Sequence, residues 1–260
     1  MEAMSKPARA DYGVDAPIAV RNMLIVCALG IISLITRVAG LWGKESPFAP
    51  LGRPLISAGL ACGVMAVWMI CSSKWGKVRE RETFLDLLAW RGDERVLDVG
   101  CGRGLFLIGA ARRLTTGRAT GIDIWQAEDL SGNTPAAPLN NAMIEGVADR
   151  VEVQTADARK LPFDDASFDV VLSSAALHNI YNAAERQTAV REIARVLKVG
   201  GRVLIVDVRH LSQYALTLRD AGFNGEQDAA RTVQNIGWSL LKILTFGLVQ
   251  IGHVIGSKAR

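Results

Sequence analysis

Aromatic residues make up only 6% of this 260-residue chain, which holds three histidines and four cysteines. Four Cys are too few for a disulfide scaffold, and no CxxC pair occurs. Cys27, Cys62 and Cys71 lie inside apolar runs, where reduced thiols serve as apolar filler. No group of residues has metal-ligand spacing, so no metal is expected. The 25 Gly show no period of three, which excludes collagen. Half of the chain is hydrophobic, which excludes disorder as the main state. A mean hydropathy of +0.20 is high for a plain soluble domain and points toward a membrane.

Charge is unevenly spread. Residues 1–83 carry ten Lys and Arg against six Asp and Glu, while residues 84–260 carry twenty of each. The net excess of +4 therefore sits in the first third, flanking apolar runs. A pI near 9.0 could suit nucleic acid, but the neutral remainder argues against it and no nucleic-acid partner is expected.

Leu55 to Ser73 runs nineteen residues without a charge. A helix spanning roughly 30 Å of hydrocarbon needs about 20 such residues. Asn22 to Thr36 is shorter, and reaches spanning length if Arg37 snorkels and the helix continues to Trp42. A Pro/Gly-rich link, GKESPFAPLGRP, joins the two. The expectation is a two-pass membrane protein with a tail over 1–21, a transmembrane hairpin over 22–75 and a further domain over 78–260. Lys74, Lys77, Arg79 and Arg81 follow the second span, which puts the tail and the large domain on the cytoplasmic side. A signal peptide fits less well, since the leader is long and no small-x-small site follows. Gly59 and Gly63 form a GxxxG that suits packing inside the hairpin, and leaves homo-oligomerisation through the spans open.

Beyond residue 78 the pattern alternates. Val78–Trp90 reads as an amphipathic helix. ERVLDVG, ATGIDI, RVEVQTAD, FDVVLSS and RVLIVDV read as buried strands, and LFLIGAARRL and AERQTAVREIARVL as helices between them. Gly200–Gly201 reads as the stop of the second of these helices. Such alternation argues an α/β fold, a Rossmann-like sheet with helices on both faces. LSQYALTLRDAGF reads as a last helix. The tail predicts two antiparallel strands, near Thr232–Gly237 and His253–Lys258, completing seven, with a membrane-facing stretch over Ile236–Ile251 between them.

Three acids fall at the tips of three strands. Asp98 precedes Gly100-Cys101-Gly102-Arg103-Gly104 at a strand-to-helix turn. A dinucleotide loop needs glycine at position 105, which is Leu. An acid ahead of GxGxG suits a ligand with a cationic amino-acid end. Asp123 ends the second strand and can accept from both hydroxyls of a ribose. Asp157 ends the third and can accept from an adenine amino group, or can pair with Arg159 or Lys160.

RVLDVGCGRG, GIDIW, ADARKLPFDDASFDVVLSS and REIARVLKVGGRVLIVD together resemble the class I S-adenosylmethionine-dependent methyltransferases, over about residues 92–222. The branch that methylates quinones and other small molecules is the most similar. The resemblance implies S-adenosylmethionine as cofactor. It implies that Gly100, Gly102 and Gly104 line the methionine part, with Asp98 and Cys101 alongside. Asp123 would hold the ribose and Ile124 would pack on adenine. Asp157 and Ala158 would face the adenine edge, and Ser173 would border the methyl group. The hairpin and the tail lie outside the resemblance.

Methyl transfer from a sulfonium needs alignment above all, and a base only for a protonated acceptor. His178 and His210 follow the fourth and fifth strands and are the candidate bases, with Tyr181 a candidate acceptor contact. The function expected is transfer to a lipophilic small molecule, such as a lipid, quinone, isoprenoid or hydrophobic thiol, reached from the membrane. The rival is a non-catalytic S-adenosylmethionine-binding membrane sensor or assembly subunit.

Overall fold

The computed structural model describes residues 9–41, 49–224 and 252–259. They fall into two compact units. One holds Gly13–Gly76 with Ala127–Ser131. The other holds the segment ending at Tyr12, Lys77–Gln126 and the chain from Gly132 onward.

In the first unit, α1 (Pro17–Val38) opens on Pro17, whose fixed φ suits a first helical turn. It packs on α2 (Ala49–Cys71). Their backbones nearly touch: a Cβ added at Gly30 would stand 2.8 Å from the Gly59 Cα. One added at Gly63 would stand 2.7 Å from Cys27 Sγ. The GxxxG is thus spent inside the hairpin, as small residues at a helix crossing are. Ser33 Oγ donates to the Gly52 carbonyl across the same interface. Outward, Leu24, Ile25, Ile32 and Ile35 are exposed on α1, as are Leu60 and Val67 on α2. Both helices are long and apolar enough to cross a membrane. The most apolar windows of the spans Pro17–Val38 and Leu51–Leu85 are 17% and 11% buried. At the open end of this unit Asp15 N donates to Ser73 Oγ, which donates in turn to Asp15 Oδ2.

A π-helical turn over Ser72–Gly76 precedes α3 (Lys77–Leu85), which ends five residues short of the helix read from the sequence. The second unit then runs β1 (Arg95–Val99), α4 (Leu105–Ala111), β2 (Arg118–Asp123), α5 (Ala136–Ile144), β3 (Val151–Thr155), β4 (Phe168–Ser174), α6 (Ala183–Val196), β5 (Leu197–Asp207), α7 (Leu211–Asp220), β6 (Phe223–Asn224) and β7 (Gly252–Lys258). The sheet order is β3-β2-β1-β4-β5-β7-β6. The first five strands are parallel, and β7 runs antiparallel between β5 and β6. This is the Rossmann-like seven-stranded sheet expected.

Alternation along each strand sends side chains to both faces. Val96 packs with Phe84, Phe106 and Leu107 from α3 and α4. Leu97 packs with Val190, Ile193 and Leu218 from α6 and α7. Asn182 caps α6 by accepting from the amides of Ala184 and Glu185.

Three sequence readings change. β5 begins at Leu197, so Gly200–Gly201 lie inside a strand rather than closing a helix. The short strand at Phe223–Asn224 falls where the end of a helix was expected, and Thr232–Gly237 and Ile236–Ile251 lie outside the described residues. Arg81, counted among the membrane-flanking cations, is 1% exposed: it donates to the Tyr12 hydroxyl, which donates to Glu145. Burial, first, and Glu145 together hold the Tyr12 phenol well above its ordinary range.

Candidate functional site

The parallel strands bring the C-terminal ends of β1, β2, β3, β4 and β5 to one edge of the sheet, where open α/β sheets bind ligands. Asp98, Asp123, Ser173 and Asp207 stand along it, with Asp157 two residues past β3.

The glycine loop is drawn over β2. The amides of Gly100 and Cys101 both donate to the Ile122 carbonyl, at 2.8 and 2.9 Å. Gly100, Gly102 and Gly104 have φ of 74°, 51° and 85°, a region that favours glycine. At Gly100 a Cβ would also overlap the Ala176 methyl. The Cys101 thiol points away from this edge into the core against Gly121. Burial, helped by the Asp98 and Asp123 charges, pushes that thiol well up, so it stays protonated.

Asp98 is the anomaly of the site. It is 1% exposed, and its Oδ1 has no hydrogen-bond partner among the described residues. Burial pushes its carboxyl up to about 7, against a lowering contribution from the Leu107 amide, with the Asp123 charge adding to the rise. A buried, unpartnered carboxylate is costly unless a cation meets it.

Asp123 already organises its surroundings. Its Oδ2 accepts from the Gly102 amide at 2.8 Å, and its Oδ1 from the Trp125 amide at 2.6 Å and Asn133 Nδ2 at 3.3 Å. Ile124 is half exposed. Trp125 Nε1 donates to Thr155 Oγ1, which turns the indole toward the neighbouring strand. Asp157 is chelated by Arg159, with Oδ2 2.6 Å from Nη2, and Arg159 also reaches Glu185 on α6. That guanidinium holds the Asp157 carboxyl below its usual value. The pairing alternative is therefore realised, and through Arg159. Ala158 is half-buried beside it.

Ser173 is buried and its hydroxyl is spent on the Val99 carbonyl, tying β4 to β1. His178, on a 3₁₀ turn over Leu177–Asn179, has its Nδ1 2.6 Å from Asp207 Oδ1, at ion-pair distance but outside hydrogen-bond alignment. Its backbone amide donates to Asp207 Oδ2 at 3.1 Å. His210 caps α7 with its ring beside Tyr214. Desolvation and then the Arg186 guanidinium hold it below its ordinary value. Tyr181 is 95% exposed and stands outside the group. His253, opposite Val206 in the sheet, is buried against Phe84. Among the described residues no cluster could hold a metal ion.

Two features had no sequence signal singled out. Asp207 is one. The other is a strap: Arg103, inside the glycine loop, donates from Nε to the Asp11 carbonyl and from Nη2 to Asp11 Oδ2. Asn141 Nδ2 donates to the carbonyls of both Asp11 and Arg103. Three non-glycine residues with left-handed backbone, Trp125, Ala175 and His210, sit just past β2, β4 and β5. Such strain concentrates at functional sites.

Residues 97–205 match the methyltransferase domain family. The 27-O-demethylrifamycin SV methyltransferase of Amycolatopsis mediterranei is 34% identical over 150 residues, 56% of this chain and 48% of that protein. The ubiquinone/menaquinone biosynthesis C-methyltransferase UbiE of Roseobacter denitrificans is 31% identical over 136 residues, 52% of this chain and 51% of that protein. The chain thus spans about half the length of these curated relatives. Among solved structures the [4+2]-cyclase SpnF superposes with a TM-score of 0.55 at 23% identity, covering 70% of this chain and 81% of that one, which shows the fold alone. The residues present fit the methyltransferase cofactor, because the unpartnered Asp98 Oδ1 suits the cationic amino group of its methionine end. The matched domain and this site together make S-adenosylmethionine the cofactor.

Proposed function

We propose that the protein is a membrane-anchored methyltransferase that moves a methyl group from S-adenosylmethionine to a lipophilic small molecule. The observation that carries the transferase reading is the orphaned, buried Asp98 carboxylate at the root of the glycine loop, within the matched domain. The anchor reading rests on the outward apolar faces of α1 and α2. In this reading residues 22–75 are the transmembrane hairpin, 1–21 a cytoplasmic tail and 78–260 the cytoplasmic catalytic domain. A relative named for a quinone supports a lipophilic acceptor.

S-adenosylmethionine, when bound, supplies a methyl group already activated on a sulfonium. The chain's task is then to hold two molecules in line. Asp98 would take the ammonium, and the backbone of Gly100, Gly102 and Gly104 would let the methionine part come close. Asp123 would take the ribose hydroxyls on lone pairs left by its backbone donors. Ile124 would cover one adenine face, and Asp157 and Ala158 would meet its edge. Ser173 would border the methyl group through its backbone, since its hydroxyl is engaged. His178 and His210 would stand on the acceptor side.

Asp123→Ala should weaken donor binding about 10- to 150-fold, the loss of a charged hydrogen-bond partner. Unchanged affinity for S-adenosylhomocysteine by calorimetry would remove the ribose assignment. For the anchor, the full chain should stay in the membrane pellet through alkaline carbonate extraction, and release into the supernatant would count against the hairpin spanning.

The function itself is tested with detergent-solubilised protein, methyl-labelled S-adenosylmethionine and a total lipid extract. Label in the organic phase, abolished by Asp98→Ala, is the result expected. Donor binding with no label in any phase would favour the sensor instead, and label confined to the aqueous phase would sink the lipophilic acceptor.

A further inference from the structure

Asn133 belongs to none of the four sequence motifs, yet it reaches the ribose acid from the far end of the loop after β2. Arg103 Nη1, from the glycine loop, donates to the carbonyl of the adjoining Gly132 at 2.8 Å. On the other side α5 begins at Ala136. Asn133 is only 8% exposed. Its Nδ2 donates to Asp123 Oδ1 and to the Gln126 carbonyl, both at 3.3 Å. Both neighbours are acceptors, so the side-chain amide can satisfy them only with its nitrogen. Its Oδ1 is turned away from them, buried and with no hydrogen-bond partner among the described residues. Buried polar atoms are nearly always paired, and an unpaired one is costly.

The acid beside it is nearly full. An ionised carboxylate offers about four lone-pair sites. The amides of Gly102 and Trp125 take one on each oxygen. Asn133 Nδ2 takes a second on Oδ1, which leaves about one, on Oδ2. A ribose brings two hydroxyls, each with a proton to donate. One has a place on Asp123 Oδ2. The other needs a further acceptor at the same spot, and the amide that fills Asp123 Oδ1 carries one.

We propose that Asn133 is a binding residue for the methyl donor: its Oδ1 accepts from one ribose hydroxyl of S-adenosylmethionine while Asp123 Oδ2 accepts from the other. This deepens the methyltransferase reading and rests on the ribose assignment of Asp123. The hydrogen bond from Nδ2 to Asp123 ties the two acceptors together, so the pair reads a diol rather than a single hydroxyl. A sugar lacking either hydroxyl returns one acceptor to its unpaired state and is rejected for that reason. Arg103 and α5 hold Asn133 in place before the donor arrives, which lowers the ordering that binding requires.

The test is calorimetry on the detergent-solubilised full chain with S-adenosylhomocysteine and its 2′-deoxy and 3′-deoxy analogues. In the parent, losing the hydroxyl on Asp123 should weaken binding about 10-fold or more, and losing the one on Asn133 about 5- to 10-fold. Asn133→Leu fills the same space with a side chain that neither donates nor accepts, so the vacated site on Asp123 Oδ1 stays covered. In that variant S-adenosylhomocysteine should bind about 5- to 10-fold more weakly. One analogue should then bind within about twofold of S-adenosylhomocysteine, while the other keeps its full loss. The analogue that no longer differs identifies the hydroxyl on Oδ1. A residue that merely braces the loop would weaken all three ligands in parallel and leave both analogue losses intact, and that result overturns the proposal. Asn133→Ala repeats the measurement if the Leu variant does not melt as a folded protein. A parent that binds either analogue as well as S-adenosylhomocysteine overturns the proposal without any variant. A parent that binds none of the three ligands counts against the cofactor itself and removes the proposal with it.

Discussion

Asp98→Asn is expected to do two opposite things: to abolish useful donor binding and to raise the stability of the ligand-free protein at about pH 8. The folded carboxyl titrates near 7, against an ordinary 3.8. Between those values the native state holds a proton that the unfolded chain has lost. Stability therefore falls as pH rises through that window, and levels off above about 7. The penalty is on the order of 4 kcal/mol. Asn cannot ionise, so it escapes that fall. The donor's ammonium needs the ionised form, so the parent should bind S-adenosylhomocysteine more weakly as pH drops below 7, by up to about tenfold per pH unit. In Asp98→Asn at about pH 8 the affinity should drop about 100-fold, and the slope with pH should vanish. Calorimetry and thermal melts across that range check both halves. A parent affinity that does not change with pH would remove Asp98 from the ammonium.

Gly100→Ala should be the most damaging methyl group that can be added to the loop. Two costs fall together. The backbone at φ 74° is left-handed, which costs a residue with a Cβ about 1–2 kcal/mol. The new methyl must also displace Ala176, at about 1–3 kcal/mol for overpacking. Gly146→Ala separates the two, because Gly146 has φ 70° with nothing within 4 Å of an added Cβ. Urea unfolding should show about 1 kcal/mol lost at Gly146 and about 3 at Gly100. Donor binding should survive the first and fail in the second. Equal losses would mean that the loop yields to Ala176 and that backbone strain alone matters.

The parts of this architecture that could be read from the chain are those set by local rules. Five strands announced themselves by apolar runs, and Asp98 and Asp123 by standing at strand tips, Asp98 ahead of a glycine loop. Part of what escaped depends on residues distant in sequence. Arg81 looked like a membrane-flanking cation because nothing nearby reveals Tyr12 and Glu145, its partners across the fold. Asp207 ends β5 just as Asp123 ends β2, so the same strand-tip rule applied to VDVRH would have found it. The Asp11–Arg103 strap joins residues 92 positions apart and leaves no local trace. β6 was hidden because two residues carry no period.

The place of β7 also sets an order of events. Val203, Leu204, Ile205 and Val206 pair along one side with β4 as soon as β5 is made. Their other side waits for Gly252–Lys258, which lie 45 or more residues further along the chain. Until those residues emerge from the ribosome, the nascent chain offers an open apolar edge of the kind that recruits foreign strands. The interval between Asp207 and Gly252 is thus the stretch of synthesis during which a chaperone has most to shield. Premature termination inside it would leave a chain with its cofactor loop complete and its sheet adhesive.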